Sequence, residues 1–299
     1  MSIPFGPYEL QALLGRGGMA EVFRAQALSG PLRGRPLAIK RLLPRYVTDL
    51  EYVELFAAEA ILSERLRHPS IVEVLDAGMV GGQCFMAMDL IDGRDLAAVL
   101  RRCRERGILL PVDFAVFLAT TLLEALAYAH GAAGDDGQPL GIVHCDVSPS
   151  NLFVSRQGEI KLGDFGLARA KAVRGEVWGK PYYLSPEAIE GRVDTGVDLW
   201  ASAATLYELL CNERPFSGGS PEEVMQAIQR AEPRPVCQVR PEIGSALEDV
   251  VHRALSRGRA QRFPDAASFA DALRALCDER IGNPLAIAAV VRGLFGAGR

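Results

Sequence analysis

The sequence predicts an α+β fold in two lobes, a small antiparallel β lobe with one key helix followed by a larger, mainly helical lobe. Three observations predict it. Up to about Asp89 the chain reads as short runs of alternating apolar residues. Beyond Gly93 the apolar residues recur at helical spacing over long stretches. No period of about 20 to 50 residues repeats, which excludes a solenoid or propeller.

Taken in order, alternation predicts strands over Tyr8–Leu14, Ala20–Ala27 and Leu37–Leu42. A helix over Leu55–Leu66 follows, then strands near Val72 and Phe85. The second lobe is predicted to hold helices over Phe114–His130, Leu199–Leu210 and Leu247–Leu255. LWASAATLYELL, at 199–210, is apolar almost all round, which fits a helix buried at the centre of its lobe. GAAGDDGQPLG, at 131–141, is a surface loop by composition.

The 299 residues carry a net charge of −4 with no basic stripe, which argues against a nucleic-acid partner. Six cysteines, Cys84, Cys103, Cys145, Cys211, Cys237 and Cys277, are scattered without metal-ligand spacing and are expected to be buried reduced thiols. The N-terminal MSIPFGPYEL lacks the basic and apolar regions of a secretory signal. Pro284–Phe295, the most apolar run, is interrupted by Arg292 and too short to cross a bilayer of about 30 Å. The expectation is therefore no membrane span and a cytoplasmic location. The segment Ile281–Arg299 is expected to pack as a last helix on the large lobe.

Chemistry concentrates in three places. Gly15, Gly17 and Gly18 in LLGRGGMAEVF would let backbone amides approach phosphate oxygens. A dinucleotide-binding turn needs a helix after its glycines, whereas EVFRAQAL reads as a strand, so a hairpin over a nucleotide is expected. The Gly-Lys-Ser/Thr ending of a Walker A motif is absent. Lys40 lies in the apolar strand LAIK, where a buried ammonium needs an anion. On the next helix Leu55, Leu62 and Leu66 define one face, and Glu59 falls on it, so Lys40 and Glu59 are predicted partners. Taken singly, Lys40 reads rather as a lysine snorkelling from a strand edge and Glu59 as a glutamate at a helix margin.

The third place is IVHCDVSPSNLFV followed by GEIKLGDFGLAR. Asp146, Asn151 five residues later, and Asp164 after a short strand pair offer two carboxylates and an amide. That is a hard-oxygen set suited to Mg²⁺.

With these in order, the sequence resembles the protein kinase superfamily, and its Gly-Gly-Met stretch resembles the bacterial, eukaryotic-like (Hanks-type) Ser/Thr kinases. The likeness runs from about Tyr8 to Asp278 through GRGGMAEV, LAIK, Glu59, HPSIV, HCDVSPSN, DFG, SPE and the arginine of AQRF. It implies a catalytic domain over 1–278, with a first lobe at 1–89 and a second at 90–278, and a helical tail over 279–299. It also implies ATP and Mg²⁺ as cofactors. Leu14, Gly15, Arg16, Gly17, Gly18, Met19, Ala20, Glu21 and Val22 would cover ATP. Leu14, Val22, Ala38 and Leu152 would sandwich adenine, with Met88 as gatekeeper before the hinge residues Asp89 to Ile91. Lys40 would hold the α and β phosphates and pair with Glu59. Asp146 would orient or deprotonate the substrate hydroxyl, and Asn151 and Asp164 would ligate Mg²⁺. His144 and Phe165 would pack in an internal spine, Asp198 would brace the catalytic loop, and Glu187 would pair with Arg262.

Three departures from the family pattern stand out. Ala20 replaces the third glycine of the loop. Cys145 replaces the arginine of His-Arg-Asp, which clamps a phosphorylated activation segment. Between Leu167 and Leu184 the only hydroxyls are on Tyr182 and Tyr183, so activation is expected not to need phosphorylation of a Ser or Thr there. Finally Ser148 stands where the family has the catalytic-loop lysine, and Lys180 where it has a threonine. The pair reads as exchanged, with Lys180 expected to return the missing charge to the γ-phosphate. A solvated loop lysine is the other reading of Lys180.

Phosphoryl transfer to Ser or Thr of a protein is the function this predicts. The alternative is a pseudokinase, a nucleotide-binding regulatory scaffold, which Cys145 and Ser148 favour and the retained Lys40, Glu59, Asp146, Asn151 and Asp164 oppose. A small-molecule kinase is opposed by the SPE segment and the helical lobe that follows it. Partners beyond ATP and a protein substrate, whether a regulator or a second copy, are left open.

Overall fold

The structure, a computed structural model, describes residues 2–165, 180–276 and 284–296. The chain divides into two units, Met1–Asp92 and Gly93–Arg299. The division falls at Gly93 rather than at the expected 89/90, because Gly93 opens a strand that pairs with Ser155 of the second unit.

The first unit is a six-stranded antiparallel sheet in the order β1-β2-β3-β4-β6-β5. Its strands are β1 (Ile3–Phe5), β2 (Tyr8–Arg16), β3 (Ala20–Ala27), β4 (Pro36–Leu42), β5 (Val74–Val80) and β6 (Gln83–Asp89). Strand alternation puts Phe23, Ala25, Leu37, Ile39, Phe85 and Ala87 on one face, where Phe5 and Tyr8 meet the Phe85 ring edge-on and close the core. The opposite face presents Val22, Ala38, Lys40, Met86 and Met88 in cross-strand register.

The helix α1 (Leu50–Glu64) starts at Asp49, whose side chain accepts the N–H of Glu51. It begins five residues earlier than predicted. Its buried face consists of Leu55, Phe56, Glu59, Ala60 and Ser63, while Leu62 is only half-buried. The face the sequence suggested is thus rotated slightly toward Phe56, and Glu59 remains on it.

In the second unit β7 (Gly93–Asp95), β8 (Leu152–Ser155) and β9 (Ile160–Leu162) form a small sheet. Among the described residues the helices are α2 (Leu96–Arg106), α3 (Val112–His130), α4 (Pro186–Ile189), α5 (Gly196–Cys211), α6 (Pro221–Arg230), α7 (Val236–Val239), α8 (Ser245–Ala254), α9 (Ala266–Arg274) and α10 (Pro284–Phe295). Every residue of α5 is buried, as its uniform apolarity requires. Its Trp200 stacks on Phe216 with ring centroids 5.4 Å apart. α3 is the one described helix whose length and composition would let it cross a membrane, and it packs against α5 and α9.

α10 buries Ile287, Ala288, Val291 and Leu294 and lies against α2 and β8. Its C-terminal carbonyls are capped from α2, where Arg102 donates to Leu294 O at 3.3 Å and Arg106 to Gly293 O at 2.8 Å. The tail thus belongs to the second unit. Of the cysteines, Cys84, Cys103 and Cys211 are buried thiols, whereas Cys145 and Cys237 are half-buried, and Cys277 lies outside the described residues.

Candidate active site

In the first unit the glycine motif forms the predicted hairpin, with Gly15 opposite Val22, Arg16 opposite Glu21, and Gly17 N–H closing the turn on Ala20 O at 2.8 Å. A Cβ added at Gly15 or Gly18 would meet nothing within 4 Å. Neither glycine is therefore demanded by packing inside the chain. Bare backbone facing open space is what close approach of a phosphate needs, so the hairpin fits a nucleotide.

The hairpin is held from behind. Glu21, 2% exposed, accepts from Arg16 at 2.8 Å and from Arg41 at 2.7 Å. Burial pushes its carboxyl up, but the hydrogen bonds from Arg16 and Arg41 outweigh burial and leave it below the ordinary 4.5. Arg45 donates to Gly18 O at 2.7 Å, and Leu43 N–H to Met19 O at 2.8 Å. The side chains of Met19, Ala20 and Glu21, expected at the nucleotide, are buried. Only their backbone is available for that role. Leu14 is half-exposed, while Val22, Met88 and Ile91 are partly buried and Ala38 and Leu152 fully so. The Asp89 carboxylate is drawn to Arg35 at 2.7 Å.

Lys40 Nζ lies 2.6 Å from Glu59 Oε1, with the residues 5% and 2% exposed. The apolar strand LAIK brings in the lysine and the buried face of α1 brings in its carboxylate, so each offsets the other's desolvation.

In the second unit the loop from His144 to Asn151 is fixed by α5. Asp198 Oδ2 accepts the N–H of His144 at 2.8 Å and Oδ1 that of Cys145 at 2.7 Å. His130, at the end of α3, places Nε2 2.8 Å from Asp198 Oδ2. His144 Nδ1 accepts the Asp146 N–H at 3.2 Å, so its proton sits on Nε2, which donates to Gly163 O at 2.9 Å. The His144 ring lies 4.6 Å from that of Phe165. Cys145 and Asp164 both adopt positive φ, 62° and 60°, without being glycine. Such backbone costs about 1–3 kcal/mol each and persists only where the surroundings over-determine it.

Asn151 Nδ2 donates both to Asp146 O and to Asp146 Oδ2, each at 2.8 Å. This fixes the Asp146 carboxylate and leaves Asn151 Oδ1 as the side-chain atom of Asn151 that could ligate a metal. Asn151 O accepts the Gly163 N–H at 2.9 Å, which places the exposed Asp164 one residue beyond that bond. An amide oxygen and a carboxylate suit Mg²⁺, which completes its shell from phosphates and water. No larger cluster of His, Cys, Asp and Glu competes for a metal among the described residues.

Lys180 completes the group. Its Nζ lies 2.7 Å from Ser148 Oγ, 3.3 and 3.5 Å from the two Asp146 oxygens, and 3.5 Å from Asn151 Oδ1. Arg262 binds Glu187 with two bonds of 2.6 and 2.8 Å and holds α4 in place. Tyr183 gives its hydroxyl to Glu208, and Arg214 lies over the Tyr182 ring at 3.6 Å. Gly166 to Gly179, most of the expected activation segment, lie outside the described residues.

Sequence reasoning missed His130, Arg41 and Arg45. The one signal for His130 was a polar residue at the end of an otherwise apolar helix. Arg41 and Arg45 gave none, since their partners are set by strand register and by a turn.

The protein kinase domain model matches residues 8–273. A tyrosine-protein kinase of Myxococcus xanthus, MasK, is 34% identical over 99% of this chain and 47% of its own length. A probable serine/threonine-protein kinase of Streptomyces coelicolor, SCO3848, is 34% identical over 98% of this chain and 43% of its own. The chain thus spans about half the length of the curated relatives it matches. The crystal structure of the Mycobacterium tuberculosis PknI kinase domain, C20A mutant, superposes with a TM-score of 0.70 at 31% identity. It covers 91% of this chain and 96% of that one.

Proposed function

Since the chain belongs to the protein kinase family and has its fold, we propose that it transfers the γ-phosphoryl group of ATP to serine and threonine hydroxyls of protein substrates. The observation that carries the reading is the cluster of Asp146, Asn151 and Lys180, braced through the loop backbone by the buried Asp198. A complete base and metal-ligand set held by a buried carboxylate is chemistry that a scaffold has no physical need to keep.

The geometry supports a role for each residue. Lys40, paired with Glu59, would hold the α and β phosphates, and the bare backbone at Gly15 and Gly18 would cover them. Asn151 Oδ1 and Asp164 would hold Mg²⁺, which when bound neutralises phosphate charge and orients the γ-phosphoryl group. Asp146 would take the hydroxyl proton of the substrate. The substrate oxygen would bond to the γ-phosphorus as the bond from that phosphorus to the bridging oxygen breaks, releasing ADP. Ser and Thr are preferred as acceptors because SCO3848 carries that description, although MasK is named for tyrosine. A cytoplasmic site of action suits ATP as donor and the buried thiols Cys84, Cys103 and Cys211.

The test is transfer from γ-labelled ATP to the protein itself and to generic Ser/Thr substrates, with wild type and Asp164→Asn in parallel. Incorporation by wild type that disappears in the variant is expected. No incorporation by either, with Mg·ATP binding intact, would leave the nucleotide-binding scaffold as the reading.

A further inference from the structure

We propose that Lys180 is the cation that contacts the transferring phosphoryl group, and that Ser148 is its tether. This rests on the kinase reading above. A phosphoryl group in transfer carries charge on its equatorial oxygens, and a site that accelerates the transfer needs donors aimed there. The loop from Asp146 to Asn151 contains no cation: between them stand Val147, Ser148, Pro149 and Ser150. The ammonium beside the Asp146 carboxylate comes instead from Lys180, immediately before the 3₁₀ turn Pro181–Tyr183.

Three features separate Lys180 from a solvated lysine. Its shortest bond, 2.7 Å, goes to a hydroxyl in a residue with 0% exposure and not to a surface carboxylate. Its side chain is 38% exposed and the Asp146 side chain 32%, so both are reachable by a substrate. And it lies within 3.5 Å of both the proposed base and the proposed metal ligand. Ser148 Oγ also lies 3.3 Å from Ser150 Oγ, so the hydroxyl that receives Lys180 is itself fixed. Lys180 forms no covalent bond. It stabilises charge and orients the group whose acceptor Asp146 deprotonates.

The arrangement has a regulatory side. The stabilising charge belongs to Lys180 at the start of the 181–183 turn, so the centre is complete only when Lys180 is seated on Ser148. Competence then requires this one hydrogen bond.

The experiment is a charge-exchange series, Lys180→Thr, Ser148→Lys and the double variant, read by single-turnover transfer and by equilibrium Mg·ATP affinity. Lys180→Thr is expected to lower the transfer rate roughly 10²- to 10³-fold with ATP affinity changed less than threefold. The double variant is expected to recover at least tenfold over Lys180→Thr. In parallel, acylation of Lys180 by an amine-reactive reagent is measured on wild type. It should slow at least fivefold with a saturating Mg complex of a non-hydrolysable ATP analogue and much less with Mg·ADP. Equal protection by both, or a Lys180→Thr rate within twofold of wild type, overturns the proposal while leaving the kinase reading in place. A wild type that binds Mg·ATP but transfers nothing overturns the kinase reading itself. The footprint needs no variant, so the proposal stays testable if a substitution fails to fold.

Discussion

Asp198 Oδ1 accepts the backbone N–H of Cys145 at 2.7 Å, and that bond holds Cys145 at φ 62°, the left-handed backbone from which Asp146 is presented. The proposed base is therefore aimed by a residue 52 positions later in the chain.

Asp198→Asn exchanges one of the two accepting oxygens for a donor that would face a backbone N–H. A loss of about 2–3 kcal/mol is expected, the range for a buried charged hydrogen bond. Transfer should fall at least tenfold with ATP affinity nearly unchanged. Urea denaturation and single-turnover kinetics check the two parts separately, and a variant as stable and fast as wild type would remove Asp198 from its bracing role.

Lys40→Met leaves Glu59 buried without this lysine. The expected cost is about 3 kcal/mol, as for breaking a buried ion pair from one side. Lys40→Met with Glu59→Leu replaces both charges by apolar volume and should regain most of the stability but none of the transfer. If the double variant is no more stable than Lys40→Met, the pair is not what the first substitution disrupts.

Glu21 gives a pH signature. Its folded carboxyl lies below the ordinary 4.5, so the Arg16 and Arg41 bonds contribute stability that is fully present above about pH 4.5 and is lost as the pH falls through the folded value. The difference in Tm between wild type and Glu21→Gln should be constant above pH 5 and shrink steadily below pH 4.5. A gap that stays constant down to pH 3 would contradict the assignment.

Tyr183 is a poor phosphate acceptor. Burial, and then the neighbouring Glu208, hold its hydroxyl protonated well above the usual tyrosine range. Phosphopeptide mapping after incubation with Mg·ATP should find no phosphate at Tyr183. Tyr183→Phe should cost about 1–3 kcal/mol by removing a donor from the buried Glu208. Stoichiometric phosphate at Tyr183 with raised activity would contradict both this and the phosphate-independent seating of Lys180.

The parts of the fold legible in the sequence are those fixed by local pattern. The strand Ala20–Ala27 appears with the predicted bounds, and the apolar run 199–210 lies inside the fully buried α5. β1 was not legible because three residues show no alternation, and the phase of α1 was blurred because Phe56 and Ser63 bury in place of Leu62. At the site, chemistry-bearing residues stood out where motif spacing is rigid: Lys40, Asp146, Asn151, Asp164. The contacts that orient them did not. His130 reaches Asp198 across 68 positions, and the four atoms around Lys180 come from a loop about 30 residues earlier. Distances of that kind are decided by packing and leave no periodicity to read.

The total burial of α5 has a practical consequence for grafting. Asp198 is one of sixteen residues on that helix with no solvent-facing side, so no stretch of it can be exchanged without disturbing a neighbour. A catalytic loop borrowed from a related enzyme would arrive without the helix that dictates its backbone. Chimeras of this chain should therefore move the 144–151 loop, Lys180 and α5 as one cassette, and cut only in exposed connections such as 131–141.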